Sequence, residues 1–531
     1  MRIGLLTDGG YPYASGESRL WCDRLVRGLA QHDFDVYALS RSAQQEDRGW
    51  VELPPQVQRV RTAPLWAPED DGRTYGRRER RRFAGHFREL AAAVCSEGEE
   101  ARFPGGLYGL AELARERGGL YAALRSELAV RILESACRAP GARRAVHAAT
   151  VPDYLDFTDR LERALRPLSL DWYGNDSLGA VDLCHAASGG SAALPGVLAK
   201  RFFGVPLLVT EYGVQLRAHY LAVGDAAVDV PVRALLAAFQ GLLAAEVYRQ
   251  ASVITPGNAH ARRWQQRCGA DPARLRTVYP GMEAERFAAV GEGDVPGDPH
   301  TLVWVGRIEP AKDLITLLHG FAEVREEQPD ARLRILGTTS RGPESAAYLA
   351  HCKALAAQLF PAVSSPVSFE ETGGPDGPDL AHAYAAGAVV VLSSVVEGFP
   401  VSLVEAMFCG RATVSTDVGA VVEVIGGTGL VVPPRNPRAL AAACLALLTD
   451  PERRERLGAA ARARALELFT VEQNLAAFRG IYLELLSQST PVRDTGADPL
   501  PFATPAEACL PGHWTGTSRT RPPAWAGAPD A

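Results

Sequence analysis

Short apolar runs alternate with segments of helical period at the start of the chain. Residues 1–7 and 34–40 are apolar runs, and residues 17–31 between them place apolar side chains at helical spacing. A glycine-rich loop, DGGYPYASG, separates the first run from the helical segment. Strand, glycine loop, helix and strand in this order predict a βαβ unit of a doubly wound α/β sheet.

The α/β rhythm is interrupted at about 42–178, where long segments rich in Ala, Arg, Leu and Glu predict a mostly helical insertion. Apolar runs with turn residues resume at 180–188, 205–213 and 251–255. The segment LRTVYPGMEAERF (275–287) is predicted to be a strand that runs into Pro280 and Gly281. The looser stretch AAVGEGDVPGDPH follows and is the best domain boundary in the chain.

The second half repeats the same architecture. Residues 301–329 show strand, loop and helix, and four further short apolar runs separated by turn residues have the look of parallel strands. We therefore predict one α/β domain at 1–285 and a second at 286–469. Residues 470–488 would form a last helix, and the Pro/Gly/Thr-rich residues 489–531 would form a disordered tail.

Composition adds limits rather than a function. The 531 residues are 47% hydrophobic and 22% charged with a net charge of −6, which gives no support for a nucleic-acid partner. Nine cysteines are scattered singly and without metal-binding spacing, so we predict reduced thiols in a cytoplasmic protein.

No membrane span is predicted. The apolar stretch ALLAAFQGLLAAEVY contains Gln and Glu and is shorter than the roughly 18 residues that a span needs. A dense arginine cluster at 77–82 reads either as a solvated helix face or as a site for an anionic acceptor, lipid or partner. Peripheral association with a membrane or with a synthase complex stays open.

The stretch VEGFPVSLVEAM (396–407) carries the clearest chemical signal. The turn Gly398-Phe399-Pro400 joins a predicted strand to a predicted helix, at the sheet edge where open α/β sheets bind ligands.

We expect the backbone N–H groups of Ser402, Leu403 and Val404 to lack helical partners and to attract an anion such as a diphosphate. Glu397 and Glu405 would flank that anion, with Glu405 binding ribose hydroxyls and Glu397 the transferred sugar.

Two carboxylates beside a diphosphate need compensating cations. The segment VGRIEPAKD offers Arg307 and Lys312, which also follow a predicted strand and precede a helix. An arginine can bind phosphate oxygens in a bidentate way and a lysine adds a point charge. This arrangement predicts a diphosphate site without a metal ion and without another cofactor.

These motifs, together with TDVGAVVEVI and GLVVPPRNP, resemble the retaining glycosyltransferases of family 4, which have the GT-B fold. The N-terminal segments TDGGYPYASGESRLWCDRLVRGL and VPLLVTEYG are similar to the subfamily of the Pel exopolysaccharide glycosyltransferase, which carries a helical insertion. The resemblance implies two Rossmann-like domains facing a cleft, an acceptor domain at 1–285 and a nucleotide-sugar domain at 286–469, and a last helix at 470–488 that returns to the first domain. It also implies a donor such as UDP-glucose, a carbohydrate or small-molecule acceptor, and transfer without a metal.

By position in the family pattern, Arg307, Lys312, Glu397 and Glu405 would contact the donor, and Gly16 would lie near the phosphate and acceptor. The N-terminal domain departs from the pattern twice. Tyr212 stands where the subfamily has histidine, and Glu17 replaces the second of two glycines. His185, at a predicted strand end, is either a catalytic residue facing the cleft or a hydrogen-bonded structural histidine.

Two other functions are compatible with these residues. A GT-B protein can be a sugar phosphorylase or a nucleotide-sugar epimerase instead of a transferase. The departures at Tyr212 and Glu17 would also suit a non-catalytic subunit that binds a nucleotide sugar.

Overall fold

A computed structural model describes residues 1–14, 18–67, 70–221, 228–292, 297–339, 343–361, 365–371 and 380–488. Two sequence predictions, the phosphate loop at Gly16 and Glu17 and the tail at 489–531, lie outside these described residues. Within the described residues the chain forms two parallel six-stranded sheets flanked by helices, which confirms the predicted doubly wound α/β class.

The first sheet has the order β3-β2-β1-β4-β5-β6, and all of its paired strands are parallel. Strands β1, β2, β4, β5 and β6 are almost wholly buried, as expected where helices cover both faces of a sheet. The strands are β1 (Arg2–Asp8), β2 (Asp33–Ser40), β3 (Val57–Pro64), β4 (Leu183–Ala186), β5 (Leu207–Glu211) and β6 (Val253–Pro256).

The helices of the N-terminal half include a large bundle between β3 and β4. Strand β3 falls inside the region predicted as a helical insertion, and the continuous helical part begins at Arg77. The helices are α1 (Arg19–Gly28), α2 (Ala43–Asp47), α3 (Arg77–Cys95), α4 (Phe103–Arg117), α5 (Leu120–Leu124), α6 (Glu127–Cys137), α7 (Val151–Leu165), α8 (Leu194–Phe203), α9 (Gln215–Leu221), α10 (Val230–Gln250) and α11 (Ala259–Arg267). The next helix, α12 (Ala288–Gly291), packs with helices of the second sheet.

The second sheet has the order β12-β11-β10-β7-β8-β9 and is also parallel. Its strands are β7 (Asp298–Ile308), β8 (Arg332–Thr339), β9 (Val367–Glu371), β10 (Gly387–Leu392), β11 (Ala412–Thr416) and β12 (Leu430–Val432). Its helices are α13 (Leu314–Glu327), α14 (Pro343–Leu359), α15 (Leu380–Ala385), α16 (Val401–Phe408), α17 (Val421–Ile425), α18 (Pro437–Leu448) and α19 (Pro451–Leu468), and α20 (Val471–Gln488) ends the described chain.

The predicted strand at 275–287 is wrong. Leu275 forms one isolated bridge with Ile254, and the N–H groups of Arg276 and Val278 donate to the carbonyls of Ile254 and Pro256, so residues 275–278 lie along β6. Pro280 lacks an N–H and cannot continue such pairing. The chain then continues without a strand to the crossing at Met282.

Helix α20 packs on the first sheet although it follows the helices of the second. Phe478, Ile481, Tyr482 and Leu485 share one buried core cluster with strand residues such as Ile3. The chain therefore crosses between the halves at 278–282 and again at 469–471. We call residues 1–280 the N-terminal half and residues 281–470 the C-terminal half.

Helix α10 has 21 residues and is longer than the apolar stretch noted in the sequence. By length and composition it could cross a membrane, whereas no membrane span was predicted, and one third of its most apolar part is buried in the protein. The core helix of a soluble protein can have the same length and composition. Leu235, Phe239, Leu243 and Val247 of α10 all belong to the largest core cluster of the N-terminal half.

Candidate functional site

The predicted donor residues lie at the carboxyl edge of the second sheet, where the strand order reverses. Strands β7 and β10 are neighbours, but the chain leads from β7 towards β8 and from β10 towards β11. Such a switch point leaves a crevice between the loops that leave the two strands, and open α/β sheets bind ligands there. The loop after Ile308 carries Lys312, and the loop after Leu392 carries Glu397.

Lys312 and Glu397 form the centre of this site. Nζ of Lys312 lies 2.5 Å from Oε1 of Glu397, and the hydroxyl of Ser394 donates to the same oxygen at 2.7 Å. Glu397 is only 8% exposed, so its carboxylate depends on these two donors. The sequence analysis named the lysine and the glutamate but missed Ser394, although it stands three residues before Glu397.

Backbone contacts hold the two loops together. The N–H of Val395 donates to the carbonyl of Ala311 at 2.9 Å, and the Ser393 hydroxyl donates to the carbonyl of Lys312 at 2.8 Å. The Thr416 hydroxyl, at the end of β11, donates to the carbonyl of Ser394 at 2.6 Å. Three neighbouring strand ends therefore determine where Lys312 and the loop before Glu397 lie.

Glu405 lies on α16, one turn inside the helix. The hydroxyl of Tyr384 donates to its Oε2 at 2.8 Å. Burial raises the pKa of Glu405, and the Tyr384 hydrogen bond and the charge of Arg286 oppose that rise. The second carboxylate oxygen is the one available for a ligand hydroxyl. Nothing in the sequence connected Tyr384 with Glu405.

The amino end of α16 offers fewer donors than the sequence suggested. The N–H groups of Leu403 and Val404 both donate to the carbonyl of Pro400, at 3.1 and 3.3 Å. Within the described residues, the N–H of Ser402 has no such backbone partner. The prediction of three N–H groups without partners is therefore wrong for Leu403 and Val404, because the first turn closes on Pro400.

The Gly398-Phe399-Pro400 turn is packed against its surroundings. The carbonyl of Gly398 accepts from the N–H of Ala420 at 3.2 Å, and the ring of Phe399 meets that of Phe469 at 5.7 Å. Gly419 has φ +58°, and a Cβ there would lie 2.4 Å from the carbonyl oxygen of Glu397. Only glycine lets the backbone approach the Glu397 loop so closely.

Arg307 lies apart from the Lys312–Glu397 pair. Its side chain is 64% exposed, and Nη2 lies 3.8 Å from Oε1 of Glu309. Among the described residues it makes no hydrogen bond. A ligand could therefore recruit this guanidinium at the expense only of the exposed 3.8 Å ion pair with Glu309, because the side chain can change rotamer.

An arginine from the N-terminal half reaches the site, and the sequence analysis missed it. Nη2 of Arg217 on α9 donates to the backbone carbonyl of Glu397 at 2.9 Å. A second contact between the halves joins Glu423 on α17 to the amino end of α11. There the Ala259 N–H donates to Glu423 Oε2 at 2.6 Å. The edge of the N-terminal half thus faces the donor loops.

His185 is not placed with the other predicted catalytic residues. It is fully buried within β4, and both ring nitrogens are hydrogen bonded, Nδ1 to the Tyr482 hydroxyl and Nε2 to that of Thr210, each at 2.7 Å. Burial lowers its pKa to about 3. Its assignment as a catalytic residue is corrected here, because no nitrogen is left for a substrate.

Tyr212 also has structural contacts. Its hydroxyl accepts from Nδ2 of Asn474 on α20 at 3.1 Å, and its ring packs edge-on against Trp21 at 5.4 Å. Burial raises the pKa of its phenol. The residue that replaces the subfamily's histidine therefore connects β5 to α20. Gly16, the other residue predicted for the acceptor and phosphate loop, lies outside the described residues.

Comparison with known proteins agrees with this architecture. Residues 299–450 match the family described as "Glycosyl transferases group 1". The sucrose-phosphate synthase of Thermosynechococcus elongatus superposes with a TM-score of 0.56 at 19% identity over 92% of this chain and 100% of that one. Anabaena Alr3699/HepE in complex with UDP also gives 0.56, at 15% identity over 91% and 100%. The superpositions show the GT-B fold, and residues 299–450 are similar to the glycosyl transferases of group 1.

The N-terminal match identifies the particular family. Residues 1–273, just over half of the chain, match the family described as "Domain of unknown function (DUF3492)", and the chain belongs to that family.

A curated relative is the D-inositol 3-phosphate glycosyltransferase of Streptomyces bingchenggensis, 33% identical over 229 residues, or 41% of this chain and 49% of that protein. The chain thus spans about half the length of the first curated relatives it matches.

Proposed function

We propose that the protein is a glycosyltransferase that moves a hexose from a nucleotide-diphospho-sugar, with UDP-glucose the first candidate, to a carbohydrate or small-molecule acceptor. The observation that carries this proposal is the buried Lys312–Glu397 pair at the switch point, with Glu405 on the helix that follows. HepE is a protein of the same fold and is described in complex with UDP, which supports UDP as the nucleotide of the donor.

Each donor contact has a residue in this proposal. Lys312 donates two of its three N–H groups to the diphosphate and keeps its hydrogen bond to Glu397 with the third. The guanidinium of Arg307 changes rotamer and binds the same diphosphate through two N–H donors. Glu405 accepts from the ribose hydroxyls with the oxygen that Tyr384 leaves, and Glu397 accepts from a hydroxyl of the hexose.

The transfer retains anomeric configuration in this proposal. The acceptor hydroxyl attacks the anomeric carbon from the face that the diphosphate leaves. The bond between that carbon and the phosphate oxygen breaks, and its electron pair stays on the phosphate. The same oxygen takes the proton of the acceptor, so the new glycosidic bond has the configuration of the donor. The leaving phosphate serves as base, which removes the need for His185.

No metal ion takes part in the proposed reaction. The negative charge that develops on the leaving diphosphate is stabilised by the ammonium of Lys312 and the guanidinium of Arg307. We also propose a cytoplasmic enzyme without a resident cofactor. Eight cysteines in the described part of the chain are free thiols, which supports a reducing compartment.

UDP binding tests the donor site directly. Glu405→Ala should weaken UDP binding by roughly 1–3 kcal/mol, the range for hydrogen bonds to a charged partner. Arg307→Ala should cost at least as much, and more of it at low salt. Isothermal titration calorimetry of the full chain measures both. Glu326→Ala and Arg438→Ala, exposed residues on α13 and α18, are the matched controls.

Wild-type UDP affinity in both site variants would contradict the proposed donor site. Product analysis then tests the reaction. NMR of the purified product should show the anomeric configuration of the donor, and EDTA should leave the rate unchanged. An inverted product would exclude the proposed role of the leaving phosphate.

A further inference from the structure

A cavity of about 270 Å³ lies in the N-terminal half, beside the carboxyl end of β5. Helices α7, α9 and α10 and the short 3₁₀ turn at Gly190–Ala193 enclose it. None of the residues placed in the donor site lines it. The cavity is therefore separate from the proposed nucleotide-sugar site.

One wall of the cavity is apolar and belongs mainly to α10. Leu236, Phe239, Leu243 and Ala244 line it, and their spacing places them on one face of the helix. Leu216 of α9 extends this wall. The part of a ligand that packs against these side chains is stabilised by burial only if it carries no hydroxyl, because a buried hydroxyl without a partner costs free energy.

Polar groups line the remainder. Glu211, the last residue of β5, accepts from the Tyr248 hydroxyl through Oε2 and, at a long 3.3 Å, from the Gln215 N–H through Oε1. Burial raises the pKa of Glu211. Gln240 of α10 also lines the cavity, and its buried Oε1 has no hydrogen-bond partner in the described residues. A buried acceptor without a donor is costly, and a ligand hydroxyl would satisfy it.

The size of the cavity limits the ligand to one ring. An engineered cavity of about 150 Å³ holds benzene, so about 270 Å³ holds a single ring with a few substituents and not a disaccharide. A sugar ring carries hydroxyls along its whole edge and would leave some of them unpaired against Leu236 and Leu243. A ring with a hydroxyl on one edge and an apolar remainder fits both walls.

Helix α9 connects this cavity to the donor loops. Gln215 and Leu216 line the cavity, and the next residue, Arg217, donates to the backbone carbonyl of Glu397. A ligand in the cavity therefore lies against the same seven-residue helix that contacts the residue proposed to bind the donor sugar.

We propose that this cavity binds a small phenol by its ring, with the phenol hydroxyl directed at the polar groups of Gln240 and Glu211. The binding site stands on the cavity and its lining, and it is tested without a donor.

Binding of 4-methylphenol to the full chain is the first test, measured by calorimetry or by saturation-transfer NMR in the absence of nucleotide. Ala244→Leu fills the cavity and should weaken binding at least tenfold. Ala237→Leu makes the same change on the same helix outside the lining and should leave binding unchanged. Equal affinity of the wild type and Ala244→Leu would overturn the proposal.

Gln240→Leu tests the hydroxyl contact separately. It removes the unpartnered amide while keeping a side chain of similar length, so 4-methylphenol should bind about tenfold more weakly, the upper range for one hydrogen bond. Toluene, which has no hydroxyl, should bind the variant at least as well as the wild type. An equal loss for both ligands would overturn the assignment of a hydroxyl to Gln240.

Failure of this inference and of the proposed function give different results. If UDP binds and responds to Glu405→Ala but 4-methylphenol does not bind, the cavity proposal is wrong and the transferase proposal stands. If 4-methylphenol binds as described but UDP does not, the cavity is a binding site and the transferase proposal is wrong.

Discussion

The side chain of His185 in the N-terminal half is held by residues that are far from it in the sequence. His185 on β4 hydrogen bonds to Tyr482, nearly three hundred residues later, and packs against the rings of Trp21 and Phe478. With one hydroxyl partner on each nitrogen, the ring is neutral in the folded protein. An imidazolium there would have no carboxylate to pair with among its hydrogen-bond partners.

The neutral state of His185 predicts a loss of stability in acid. Its pKa is about 3 in the folded protein and about 6.5 in the unfolded chain, so below pH 6.5 the unfolded state binds more protons. The free energy of unfolding should therefore fall as the pH falls. From pH 7 to pH 5 this residue should contribute a loss of about 2 kcal/mol.

Urea denaturation at both pH values measures this contribution. The stability gap between wild type and His185→Gln should narrow by about 2 kcal/mol at pH 5, because the variant lacks the titrating group. Leu483→Ala, at an exposed residue without a titratable group, serves as control and should show a constant gap. A gap for His185→Gln that does not change with pH would contradict the prediction.

At this scale the sequence predicts motif residues but not their partners. Lys312 and Glu397 meet at the centre of the site because each follows a strand of one switch point, which spacing and strand patterns indicate. Ser394, Tyr384 and Arg217 could not be assigned, since an isolated serine, tyrosine or arginine has no pattern of its own. His185 had the sequence context of a cleft residue, and only its burial assigns it to the core.

At the scale of elements, the loop that carries Glu397 depends on the turn between β11 and α17. The backbone of Gly419 lies against the carbonyl oxygen of Glu397, and the next residue, Ala420, donates to that of Gly398. Any side chain at 419 would clash with the carbonyl of Glu397 and displace this loop.

Gly419→Ala should therefore lower both stability and UDP affinity. The positive φ alone costs about 1 kcal/mol, and the clash of Cβ with the carbonyl of Glu397 adds about 1–2 kcal/mol of strain. Gly427→Ala is the matched control, because Gly427 has φ +87° with nothing within 4 Å of a Cβ.

Thermal denaturation and UDP titration of both variants separate the two effects. The control should lose about 1 kcal/mol of stability and keep its UDP affinity, while Gly419→Ala should bind UDP about tenfold more weakly. Equal UDP affinity in the two variants would show that the Glu397 loop does not contribute to binding.

Strands and helices differ in how well the sequence predicted them. The buried strands β1, β2, β4 and β5 appear as apolar runs and were found. Strand β3, VQRVRTAP, was missed because it is an edge strand with three polar or charged residues among its first five positions. Its membership in the sheet comes from pairing with β2, which composition does not reveal.

At the scale of the whole molecule, α20 completes the core of the N-terminal half. Phe478 is fully buried in the cluster that contains Ile3, Leu5 and Val26. Phe478→Ala should lower the free energy of unfolding by about 3–5 kcal/mol, the range for a large buried aromatic residue. Leu483→Ala on the same helix is the control, because Leu483 is 58% exposed.

Chemical denaturation of both variants checks this role. Leu483→Ala should stay within about 0.5 kcal/mol of the wild type. A loss for Phe478→Ala no larger than for the control would mean that α20 contributes little to the stability of the first sheet.

The general two-sheet architecture was predictable from the sequence, because alternation of short apolar runs and helical segments is a local pattern. The contacts of α20 with β1 and β4 join distant segments, so no local pattern predicts them, and the expectation that the last helix returns to the first domain came from the family resemblance alone.

The two crossings between the halves run side by side, which decides how the molecule can open. The N–H of Met282 donates to the carbonyl of Phe469 at 2.9 Å, and that of Val471 donates back to the carbonyl of Met282 at 3.2 Å. The two connections thus form one seam, and we expect any relative movement of the two halves to pivot about it. The displacement of one half relative to the other is then smallest at Met282 and increases with distance from the seam. Spectroscopic labels beside Arg217 and Glu397 would register the movement, while a pair beside Met282 and Thr470 would stay still.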